Sequence, residues 1–263
     1  MTAAIDALLS VAPGYVLLAA AVVTRIGAAL LLVPGLGERG VPMRIKLGVT
    51  LALTALVLPL LADRATAEAM PVGRPEALAL LLLSEAATGL ALGFAFRTLV
   101  FTLQIAGTVA AQNITISHIF GNGLAPEAEP TLASFLAMGG IAILMVGGLH
   151  VELVLALSRL YALLPPGAVF ATDRLADWSV RRTAELFALG ISLAMPFVLV
   201  GFAYNLALGA LSRAMPQLLV ALVGVPLLVG LGIGTLWLVL PELFSRWIDV
   251  ASGLLADPLG RLL

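Results

Sequence analysis

The chain has 263 residues and a mass of 27.1 kDa, with 61% hydrophobic and 11% charged side chains, whereas an ordinary soluble domain carries roughly 45–50% apolar residues with glycine counted in and about 25% charged ones. So few polar side chains do not clothe a globule in water, which excludes a water-soluble enzyme, and a formal net charge of −1 leaves no basic field to hold nucleic acid. The absence of cysteine also removes disulfides, thiolate nucleophiles and cysteine metal sites.

The amino terminus, Met1 to Asp6, has no Lys or Arg and carries an acid. It does not read as a cleavable secretory signal, so the first apolar run is expected to stay in the mature protein. Apolar runs then follow at about 13–33, 45–62, 77–106, 132–157, 186–211 and 217–240, most of them close to or above the roughly 20 helical residues that cross about 30 Å of hydrocarbon. They are long, rich in Leu and Ala, and lack period-two alternation, so they read as helices. A helix also satisfies its own backbone groups in lipid. The expected fold is all-α, a polytopic membrane-type protein of about six hydrophobic helices arranged as hairpins, in a single domain spanning 1–263.

Proline and glycine punctuate these runs. Pro34 to Pro42 separates the first two, Asp63 to Pro75 the next pair, and Asn122 to Pro130 precedes the fourth. Pro165-Pro166-Gly167 opens what reads as the longest polar connection, reaching Arg182, and a short break around Arg213 to Pro216 predicts a tight hairpin of the last two helices. The third run has no proline and amounts to about 45 Å of helix at 1.5 Å per residue. It therefore tilts or projects beyond the membrane. Lys and Arg are more numerous in loops on the side of the termini, which favours cytoplasmic termini.

Two sets of residues fall four apart. Glu85, Gly89, Gly93 and Arg97 share one face of the third helix, and Gly201, Asn205, Gly209 and Arg213 share one face of the fifth. Glycines at this spacing let another backbone approach closely while polar groups bond across the contact. Partner-subunit interface and packing within the chain are both open readings. A proton relay is the weakest, because Glu85 and Arg97 lie three turns apart. Arg25, in the middle of the first helix, must be satisfied, and structural pairing or snorkelling is favoured over a pore role. His150 and Glu152 face different sides of a helix, so no metal site is expected, nor any catalytic set or cofactor loop. Gly107 to Gly123 mixes amides and hydroxyls with isoleucines, without formal charge. It is either a re-entrant element, tolerated only inside protein or beside a water-filled cavity, or a helix end with a short amphipathic turn.

A series of features in order resembles the FliR family of flagellar export-gate subunits, called SctT in injectisomes. They are an arginine in the first segment, Pro34-Gly35, Val41-Pro42-Met43-Arg44-Ile45-Lys46-Leu47-Gly48, then Glu85 to Phe94 with glycines at 89 and 93, and Ala106-Gly107 to Gln112. Gly147-Gly148-Leu149-His150, Leu163-Leu164-Pro165-Pro166-Gly167 and Ser212-Arg213-Ala214-Met215-Pro216-Gln217 follow. The chain departs from the family pattern after Gln112 and after Gln217. The resemblance covers nearly the whole length. It implies a non-enzymatic subunit in the bacterial inner membrane, within the flagellar basal body. There it would form, with FliP-like and FliQ-like subunits and beside an FlhB-like one, a channel for unfolded flagellar substrates. It further implies that Gln112, Asn113, Ile114, Ile116, Ile119 and Phe120 belong to a central plug-like loop. The two glycine seams, with Pro216 and Gln217, would face partner helices. A secondary transporter of a small solute is the alternative, and would show discontinuous helices around a polar midplane site. An injectisome rather than flagellar gate is a further variant.

Overall fold

The computed structural model describes residues 2–61, 70–114, 131–168, 172–214 and 219–260. Helices α1 (Thr2–Leu30), α2 (Met43–Leu61), α3 (Pro75–Ile114), α4 (Thr131–Val146), α5 (Leu149–Leu163), α6 (Thr172–Ala214) and α7 (Leu219–Ala256) follow one another, with no strand among the described residues. Five helices are long and apolar enough to cross a membrane, and α4 with α5 makes a sixth span if the bent pair is counted as one. The protein is an all-α, polytopic membrane-type protein.

The helices outrun the apolar runs. Helix α3 has 40 residues, about 60 Å at 1.5 Å per residue, and continues through Gly107 to Ile114. Helix α6 starts at Thr172, so most of the polar stretch expected as a connection is helical. There Arg182 pairs with the exposed Glu185 at 3.0 Å, while Trp178 is buried and meets Phe94 edge-on at 5.9 Å between centroids. Helix α7 passes through Pro241 to Ala256. The run expected as one crossing at 132–157 is instead broken, with α4 and α5 bent by 69°. Gly148 stands at the break with φ +86, a left-handed conformation that costs any residue with a Cβ.

Two compact units are found, Met1–Arg97 with Met145–Val180 and Gly253–Leu263, and Thr98–Leu144 with Arg181–Ser252. The first has Leu18, Val22, Ile26, Leu92 and Phe96 fully buried, with Arg25 and Glu85 among them. The second buries Leu103, Leu136, Phe197 and Trp247. There the Trp247 indole N–H donates to the Leu99 carbonyl at 2.9 Å, so the largest core side chain also has its polar atom satisfied. A Cβ at Gly107 would overlap Ala133 Cα, and one at Gly190 would come within 2.8 Å of Ile105. These glycines allow α3 to approach α4 and α6 closely.

Candidate functional site

The most polar buried centre is built on α1, α3 and the end of α5. Arg25 and Glu85 are both fully buried. Arg25 grips the Glu85 carboxylate with two parallel bonds, Nε to Oε2 at 2.6 Å and Nη2 to Oε1 at 2.9 Å, the bidentate geometry in which a guanidinium binds most strongly. Its remaining arm, Nη1, donates to the Leu164 carbonyl at 3.0 Å. The Tyr161 ring lies over the guanidinium, 3.9 Å from Cζ to the ring centroid, adding a cation–π contact where water is excluded. Glu85 in turn accepts the Gly167 N–H at 2.9 Å.

The Leu164–Gly167 turn is shaped for this contact. Leu164 leaves helical geometry at the C-cap of α5, freeing its carbonyl. Pro165 and Pro166 bring no N–H that would need a partner. Gly167, at φ +85, turns its own N–H toward Glu85. An isolated charge in such a place is costly; here every arm of both ions is answered by another group.

Glu85, Gly89, Gly93 and Arg97 do form one continuous seam, and of the two readings open for this face the structure shows packing within the chain. A Cβ at Gly89 would overlap the Arg25 carbonyl oxygen, and one at Gly93 would lie 2.5 Å from that of Ala29. Arg97 pairs with Glu38, in the connection after α1, with both side chains half-buried. Glycine thus lets α1 approach until its arginine reaches the glutamate one turn away.

The second set divides. Gly201 packs on α3, where a Cβ would lie 2.7 Å from the Asn113 carbonyl oxygen. Asn205, Gly209 and Arg213 are exposed, and a Cβ at Gly209 would meet nothing within 4 Å. Pro216 and Gln217 lie outside the described residues. Of the residues expected in a plug, Gln112 is exposed and Asn113 half-buried on α3, with the Asn113 amide donating to Val109 O at 2.8 Å. Ile114 ends the helix, and Ile116, Ile119 and Phe120 lie outside the described residues. The stretch from Gly107 to Ile114 is therefore regular helix rather than irregular backbone, because its glycine serves a close helix contact. No group of three His, Asp or Glu is placed to hold a metal among the described residues.

Sequence reasoning missed Tyr161 and the Leu164–Gly167 turn as partners of the ion pair. The available signal was a Pro-Pro-Gly turn in a chain with two otherwise unexplained buried charges.

The chain matches Bacterial export proteins, family 1, over residues 16–253. It belongs to this export family. The match begins before Arg25 and takes in Glu85, Tyr161 and the whole Leu164–Gly167 turn, so the polar centre lies inside the part that defines membership. Similar proteins include the flagellar biosynthetic protein FliR of Caulobacter vibrioides, 29% identical over 89% of this chain and 92% of that protein. FliR of Escherichia coli is 27% identical over 89% and 90%, and FliR of Bacillus subtilis 25% identical over 88% and 92%. The export-family assignment and the apolar helices agree on a membrane-embedded export component.

Proposed function

We propose that this chain is a non-enzymatic subunit of the flagellar type III protein export gate in the bacterial inner membrane. With FliP-like and FliQ-like subunits it forms the channel for unfolded flagellar substrates, next to an FlhB-like subunit. Residues 112–120 close the channel as a plug at rest. The observation that carries this reading is the family match along 16–253 with FliR proteins as full-length relatives.

The distribution of helix glycines supports it. Gly89, Gly93, Gly107, Gly140, Gly190 and Gly201 are filled by this chain's own atoms, whereas a Cβ at Gly209, Gly230 or Gly234 would meet nothing within 4 Å. Such positions suit close helix packing, and the open ones offer it to other subunits. The break at Gly148 is a feature that transporters share, but the fully buried charges of the described residues, Arg25 and Glu85, satisfy each other rather than standing open to a solute.

The test is native mass after co-expression with the FliP-like and FliQ-like proteins of the same organism, purified through a tag on this chain. A large complex holding one tagged copy is expected. A lone monomer or homodimer would overturn the gate and revive the solute transporter.

A further inference from the structure

We infer that the segment after α7, residues 257–260, is a strap that holds α5 in place and so keeps the Arg25–Glu85 centre closed. Helix α5 has only 15 residues, a length that is marginal in isolation, and it is cut off at both ends. It starts behind the left-handed Gly148, at a 69° bend from α4, and stops at Leu164 before two prolines. Continuity of the helix therefore does not set its position, and packing has to. Two neighbouring faces supply it. Tyr161 and Leu164 reach Arg25. Ala156, Arg159, Leu160 and Leu163 repeat at helical spacing and line one cleft with Pro258 and Leu259 of the strap.

The strap follows from its sequence, Asp257-Pro258-Leu259-Gly260, with Asp first, Pro second and Gly fourth as a tight turn favours. The Asp257 N–H carries the helix one bond further, to the Gly253 carbonyl at 3.2 Å, and Pro258 brings no N–H to continue it. The Asp257 carboxylate then accepts the Gly260 N–H at 2.8 Å, with Gly260 at φ +45. This closes the turn with Leu259 inward, buried beside the exposed Asp257. Arg159 fastens the near end. Its Nη1 donates to the Ala256 carbonyl at 2.8 Å, one of the last-turn carbonyls that lack an intrahelical partner, and sets a cation at the negative end of α7. The fastening is light. The Arg159 bond is exposed, and the cleft keeps about 70 Å³ unfilled between the strap, α5 and Leu92 of α3, where a packed interior leaves few voids larger than a water molecule. A segment held by one exposed bond and one buried side chain opens more readily than the core, and Tyr161 and Leu164 loosen with it.

The experiment is native-state amide exchange of the full chain in detergent micelles. It is read at Gly167, whose N–H is held by Glu85, with α4 as the reference. Leu259→Ala should speed exchange at Gly167 by roughly tenfold or more, the scale set by truncating a buried leucine, and leave α4 unchanged. Arg159→Gln, at an exposed position, should do the same to a smaller degree. Leu259→Met, which refills the seat, should stay near the unaltered chain. Should Leu259→Ala fail to fold, Arg159→Gln decides the matter. Faster exchange at Asp257 with Gly167 unmoved would overturn the inference, because α5 would then hold the centre without the strap. An equal rise at Gly167 and throughout α4 would overturn it too, since the strap would then serve overall stability alone. The inference rests on the fold of this chain and not on the export reading.

Discussion

Arg25 and Glu85 are held in a geometry in which removing one is far worse than removing both. Arg25→Met leaves a buried carboxylate with only the Gly167 N–H to answer it, and Glu85→Leu leaves a guanidinium with one carbonyl and a ring face. Each single change is expected to destabilise the chain by about 3–5 kcal/mol, while Arg25→Met with Glu85→Leu should cost much less than the sum, since paired apolar replacements of buried ions are often near neutral. Denaturant unfolding in detergent micelles, followed by circular dichroism, measures both. Additive losses would mean that the two side chains act separately. Much of this centre was legible in the sequence: an arginine deep in an apolar run demands a partner, and glycines one and two turns after Glu85 announce a close helix. The pairing itself was not, because 60 residues separate the two charges and the partner carbonyl lies 139 residues from Arg25. Nothing local encodes the rotation of α1 that aims one at the other.

At the scale of elements, hydropathy located the apolar stretches of the described helices but neither their ends nor the break between α4 and α5. Apolar runs stop where side chains must face headgroups or water, while backbone hydrogen bonding carries on. Hence α6 begins in polar sequence at Thr172 and α7 passes Pro241 into a stretch braced by an exposed Arg246–Glu242 pair at 2.7 Å. The break at Gly148 was hidden in a run of unbroken hydropathy, since a left-handed residue alters direction without altering polarity. The same logic applies at the far end of α3, where Gln112 and Asn113, the first residues of the proposed plug, stay helical. If residues 112–120 close the channel, Ile116→Ser, Ile119→Ser and Phe120→Ser together remove its apolar seal. The assembled gate should then leak ions at rest, seen as a several-fold rise in conductance over the unaltered complex in planar bilayers. A variant that assembles normally and stays tight would remove the plug from this segment.

Across the described residues, helix glycines divide into those met by this chain's own atoms and those left open. The apolar stretch of α3 is 44% buried and that of α7 only 17%. Trp237 is 78% exposed on α7, and Gly230 and Gly234 line a shallow groove beside Leu227 and Leu231. Lipid alone gives no reason for two glycines four apart, because glycine weakens a helix interior by roughly 0.5–1 kcal/mol relative to alanine. Gly230→Leu with Gly234→Leu should therefore leave the melting temperature of the isolated chain unchanged or raise it, as no atom stands where the new side chains begin. In the complex the same change should overfill a contact, at about 1–3 kcal/mol, and lower co-purification of the FliP-like and FliQ-like subunits by roughly tenfold to a hundredfold. Gly89→Leu is the opposite control: it drives a side chain into the Arg25 carbonyl and should unfold the chain before any partner is involved. The two results together distinguish a seam within the subunit from one between subunits. Full co-purification by the intact double variant would assign the α7 face to lipid and leave its glycines without a packing role.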